Sequence, residues 1–219
     1  MYINTNQAKT YYKNQPNYKE IYGKMKFCGL TVLIPILGLI IYPLITTGYM
    51  LVLANKRIFM PNSSLADWQT GKIIQTGLCW FGYSFLIGIL ATPITSFINY
   101  SLLNPENLSP MLFVSYLLYI IVMMIAVAAV LVYSTNLKFS SFFKLKAIKY
   151  ILVDKFADYI KFATIRFLIT FCYTLLIMVS IIIIVGPFLL IPKLMFVMAD
   201  LNAQFVRKVF KIAPKELKG

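Results

Sequence analysis

The stretch from Ile165 to Val206 constrains this chain more than any other. It is almost wholly apolar, is interrupted at Gly186-Pro187 and again at Pro192, and carries Lys193 and Asp200 beyond the interruption. A bilayer core of ~30 Å is crossed by about 20 apolar residues, so a run of this length points to membrane insertion rather than to a soluble core. Composition agrees, because 60% of the chain is hydrophobic and only 13% charged, against roughly 45–50% and 25% in ordinary globular proteins. The 21 Lys and Arg residues fall mainly between the apolar runs. The expected class is all-α: a polytopic helical membrane protein.

Four apolar segments are expected. Phe27 to Asn55 contains Pro35 and Pro43, and as one straight helix it would span ~43 Å, too long for one upright crossing and too short for two. It reads either as one kinked, tilted helix or as a re-entrant hairpin turning between Gly38 and Pro43. Ile73 to Tyr100 and Met111 to Tyr133 form a central transmembrane hairpin, flanked by the two Pro/Gly-broken segments. Between 134 and 164, Phe142, Leu145, Ile148, Leu152, Phe156 and Tyr159 recur every three or four residues with lysines off that stripe, which predicts a basic amphipathic surface helix. In domain terms, 1–26 is a polar basic tail without periodicity, 27–210 a single helical membrane domain, and 211–219 a basic C-terminal tail.

Loop charge adds orientation. Segment 1–26 holds five Lys and one Glu, segment 134–166 holds seven cations, and 101–110 holds no Lys or Arg. The positive-inside rule then places both termini and the basic loops in the cytoplasm and 101–110 outside, provided that the first run leaves on the side it entered. By the same logic the second half of 165–206 dips to half depth or crosses fully, and inserting Lys193 and Asp200 at a helix centre costs ~2.5–3.5 kcal/mol each, which favours the dip. The polar segment 1–26 does not read as a cleaved signal peptide, and the first span would serve as its own signal. A prokaryotic plasma (inner) membrane is the expected location.

Several chemistries are excluded or unsupported. There is no His, so imidazole ligation and His acid–base catalysis are absent. Cys28, Cys79 and Cys172 are odd in number and far apart, suggesting neither a disulfide framework nor a metal site. Asp154 and Asp158 are the only carboxylates at helical i,i+4 spacing, and among lysines they read as a salt-bridged surface. No phosphate-binding loop appears. A net charge of +14 matches anionic headgroups better than nucleic acid, because the cations flank apolar spans. The expectation is a protein that is not an enzyme and needs no cofactor. A membrane-embedded interaction, scaffold, accessory or immunity-type role with a protein partner or a second copy is weighed against a channel or transporter subunit.

Lys193, Asp200 and Asn202 are the candidate polar intramembrane site, since Lys193 and Asp200 lie seven apart and share a helix face. Pro35, Pro43, Gly186, Pro187 and Pro192 are candidate hinges. Trp68, Lys144 and Lys149 are candidate interfacial anchors.

The chain also resembles a bacterial and archaeal membrane family catalogued as domain-of-unknown-function 4013. The likeness rests on an apolar run ending in Gly48-Tyr49, the basic pair Lys56-Arg57, Pro61, then Asp67-Trp68 and Gly71-Lys72 opening the next span. Farther on, Asp158-Tyr159 leads into an apolar pair broken at Gly186-Pro187. It would cover about Phe27 to Phe210, with Asn62 where the family carries an acid. The resemblance implies a multi-pass helical protein and no particular activity.

Overall fold

The computed structural model describes residues 4–29, 35–103, 110–180 and 186–212. They form eight α-helices: α1 (Thr5–Thr10), α2 (Tyr18–Gly29), α3 (Pro35–Phe59), α4 (Thr70–Leu103), α5 (Pro110–Tyr133), α6 (Leu145–Lys149), α7 (Phe156–Ser180) and α8 (Gly186–Phe210). The all-α reading holds, and α4 with α5 is the expected central hairpin. By length and composition α4, α5, α7 and α8 could each cross a membrane. Most of the connector 101–110, which holds no Lys or Arg, and of the C-terminal tail 211–219 lies outside the described residues.

The prolines explain several boundaries. Pro35 and Pro110 open α3 and α5, and Pro187 lies in the first turn of α8, positions where a missing N–H leaves no helical bond unmade. Pro43, Pro93 and Pro192 lie inside helices that continue past them. Threonines beside two of these donate to carbonyls one turn back, Thr46 to Tyr42 (2.8 Å), Thr92 to Gly88 (2.7 Å) and Thr95 to Ala91 (3.2 Å), so each hydroxyl is bonded within its own helix. At the end of α8, Lys211 turns left-handed (φ 50°) and Ile212 N–H donates back to Arg207 O at 3.0 Å, a Schellman-type stop.

Neighbouring helices run in the order α5, α4, α3, α8, α7. The middle pair, α3 and α8, forms the buried heart, with Leu51, Leu53, Phe196, Val197, Phe205 and Val206 fully enclosed. The outer helices turn large apolar side chains outward, among them Phe85, Leu90, Phe113 and Phe167, a surface suited to lipid. The α3–α4 crossing is very close. A Cβ at Gly48 would meet Ile73 O and stand 3.1 Å from Gly77 N, and one at Gly77 would meet Leu44 O; only the two glycines let these backbones touch.

Three expectations need correction. No hairpin turns between Gly38 and Pro43, because α3 runs unbroken through them. Residues 4–29 are not a tail without structure. They form α1, a 3₁₀ turn (Tyr11–Asn14) and α2, packed along α8 by Asn4 N–H to Gln204 Oε1 (2.9 Å), Tyr12 stacked on Phe196 (5.2 Å between centroids) and Tyr22 Oη to Leu189 O (2.9 Å). The tyrosines that suggested a polar tail supply both the apolar rings and the hydroxyls for this packing.

Finally, the basic stretch 134–164 is not one amphipathic helix. It comprises a 3₁₀ turn (Phe139–Phe143), the short α6, a π turn (Tyr150–Asp154) and the start of α7. Phe142 is sandwiched between Tyr83 and Tyr133, each 4.1 Å away, and this anchor shortens the helix: Phe142, Ile148 and Tyr159 are buried as the stripe predicts, while Leu145 and Phe156 are exposed. Asp154 and Asp158 fall on either side of the break.

Candidate functional site

Asp200 is 1% exposed, on α8, one of the two helices of the buried heart. Sequence spacing pairs it with Lys193, but seven residues of helix separate the two by ~10 Å along the axis. Lys193 is half-buried, and among the described residues it makes no ion pair. The partner is Arg57, near the end of α3 and 3% exposed: its Nε and Nη2 donate to Asp200 Oδ1 at 3.0 and 2.8 Å. Asp200 Oδ2 accepts from Gln204 Nε2 at 2.7 Å, and Gln204 is in turn bonded to the Asn4 backbone. The Tyr11 ring covers the guanidinium, with its centroid 4.3 Å from Arg57 Cζ, a cation–π cap. Burial first, and then the Asp200 carboxylate, pushes the Tyr11 phenol well above its usual range, so it stays neutral.

The ion pair is buried while Asn4, Tyr11 and Gln204 around it are half-buried, and its chemistry is that of a structural clamp joining the N-terminal segment, α3 and α8. Asn202, two residues on and so on another face of α8, is fully buried, with neither side-chain polar atom bonded among the described residues. Trp68 is a packing residue, stacked on Tyr49 at 5.5 Å. Lys144 and Lys149 are exposed. Gly186 and Pro35 mark helix starts, while Pro43 and Pro192 lie within helices.

The open space lies elsewhere. A cavity of about 640 Å³ is lined by side chains from all five long helices, within the ~300–1,000 Å³ of ordinary ligand pockets. Its walls are mostly apolar, with Thr47, Ser84, Thr92, Thr95 and Thr170 interspersed. Arg166 of α7 is its one charged lining residue among the described residues. The Arg166 Nη1 is buried and has no hydrogen-bond partner among them. The nearby Tyr159 hydroxyl is committed to Met124 O at 3.0 Å. The Phe142 sandwich stacks on the cavity-lining Tyr83 at the end nearest the basic loops. Apart from the Tyr159–Met124 bond, α5 and α7, the two ends of the ring, are not packed along their lengths, which leaves a lateral gap beyond that bond.

Sequence reasoning missed both arginines. Arg57 and Arg166 count as loop cations when charges are tallied along the chain. The usable signal was that Arg166 lies inside the apolar stretch with Thr170 one turn on.

Comparisons with known protein families, curated proteins and solved structures find no match to this chain.

Proposed function

We propose that this integral membrane protein is a non-catalytic binding protein that holds a small ligand within the bilayer, inside the ring of α3, α4, α5, α7 and α8. The observation that carries this reading is the cavity of about 640 Å³ bounded by those helices. Among the described residues no group of His, Cys, Asp or Glu could hold a metal, and the acid with the most distinctive setting, Asp200, is consumed by its pair with Arg57. Gly88 offers a direct test, because it lines the cavity and a side chain there would meet nothing within 4 Å. Purified gently, the wild-type protein is expected to retain a small molecule that Gly88→Trp does not. In proteoliposomes it is expected to pass ions and small solutes no faster than empty vesicles, and sustained flux would instead favour a channel or transporter subunit.

The same reading places both termini in the cytoplasm of a prokaryotic cell, with anionic headgroups meeting the basic end. Supporting it, the basic ends of the helices are tied together: Asn55 Nδ2 donates to Ser134 O and Thr135 O (both 2.9 Å), and the Tyr150 ring lies 5.9 Å from that of Phe210. Asn4 meets Gln204 near the same end, so the N-terminal segment starts there and α3 returns to it. In a background lacking the three native cysteines, N107C is expected to react with an impermeant thiol reagent in intact cells and S140C is not. Labelling of S140C would overturn this topology. Membership of the family resembled above would add no activity to this proposal.

A further inference from the structure

A guanidinium that lines a largely apolar cavity with its Nη1 unbonded among the described residues needs an occupant. Leaving a buried guanidinium nitrogen without a counter-charge is costly; the fully buried Arg57 has both a carboxylate and a ring, whereas Arg166 is half-buried with its Nη1 enclosed. Among the described residues Arg166 has neither, and no Asp or Glu lines the cavity. The missing partner must therefore be acidic at one end, since a guanidinium recognises carboxylate or phosphate oxygens through paired N–H donors. It must be apolar elsewhere, since the cavity walls are mostly apolar, Trp80, Met123 and Met195 among them. At the basic end the Phe142 ring packs on the cavity-lining Tyr83, whereas the gap between α5 and α7 faces the lipid-exposed surface that both helices present.

We infer that the cavity takes a single-chain amphiphile with an acidic head, drawn laterally from the bilayer. Its head rests on Arg166 with the Thr170 hydroxyl one turn away, and its chain leaves between α5 and α7. This inference rests on the binding-protein reading above and supplies the ligand class. One cation and one slot match one acidic head and one chain.

Delipidated protein in neutral detergent tests it by native mass spectrometry with three probes: palmitate, lysophosphatidylcholine and inorganic phosphate. Palmitate is expected to bind the wild type, with Arg166→Gln weakening it ~10–100-fold, the loss that follows from removing a charge-assisted hydrogen bond. Arg166→Lys should keep most of the binding. Because the buried Arg166 Nη1 has no hydrogen-bond partner among the described residues, Arg166→Gln should leave the melting temperature unchanged or raised. Undiminished palmitate binding in Arg166→Gln overturns the inference, as does phosphate binding as tightly as palmitate, which would mark a site for a soluble anion. If lysophosphatidylcholine binds as well as palmitate and Gly88→Trp abolishes both, the acidic-head inference falls while the intramembrane binding reading stands. If no probe binds and nothing co-purifies, both fall.

Discussion

Replacing Asp200 by Asn is expected to destabilise the bundle by ~3–5 kcal/mol, the cost of removing one partner from a buried ion pair. Arg57 would keep its charge, 3% exposed, with only the Tyr11 ring to offset it. The same change weakens the Gln204 bridge to Asn4, so the N-terminal segment should loosen first, and proteolysis within residues 4–29 should accelerate before the core melts. Thermal unfolding in detergent, paired with limited proteolysis, reads both effects. The double variant Arg57→Met/Asp200→Leu separates charge burial from packing. Replacing both partners by apolar groups of similar size is often neutral or stabilising, so the double variant should recover most of the stability that Asp200→Asn loses. A stability loss below ~0.5 kcal/mol for Asp200→Asn, the range of an ordinary surface substitution, would mean that the pair is not closed in the folded protein.

The α3–α4 crossing should be nearly as sensitive. Gly77→Leu drives a side chain into the Leu44 carbonyl and Gly48→Leu into that of Ile73, where even a Cβ lacks room. Each is expected to cost at least the ~1–3 kcal/mol of an overpacked core, because backbone cannot give way as a side-chain tip can. Gly82 provides the control on the same helix, since a Cβ there meets nothing within 4 Å. Gly82→Ala should be neutral, or stabilising by up to ~1 kcal/mol through helix propensity. Melting temperatures of the three variants in one detergent decide the matter. Equal tolerance at Gly77 and Gly82 would show that the helices do not approach as described.

Much of the architecture is legible along the chain because hydropathy and proline placement are local properties. The α4–α5 hairpin and the break before α8 at Gly186 follow from counting apolar residues between breakers, whereas the first run, read as one element from Phe27, is divided between α2 and α3. Misreadings arose where tertiary contact overrides local pattern. The N-terminal stretch up to Lys26 carries no periodicity, yet its tyrosines find Phe196 and the backbone of α8. The stripe from Phe142 to Tyr159 has helical spacing, but Phe142 is pulled between Tyr83 and Tyr133, so Leu145 and Phe156 lose their places on the buried face. Asp200 was legible as an awkward intramembrane acid, and its partner was not. Lys193 is its neighbour by helical period, while Arg57 lies 143 positions away.

The sequence by itself determined the medium and the class of this protein: a run of apolar residues long enough to exchange water for lipid leaves backbone polar groups no partners but one another, and helices follow. Which helices adjoin was decided by tertiary structure, through close approach at Gly48 and Gly77 and through the choice of Arg57 as counter-charge for Asp200. That order encloses the cavity, and it leaves Arg166 facing the space without a partner among the described residues. Hydropathy sums free energy along a chain, whereas a cavity is a property of helices that share no sequence proximity.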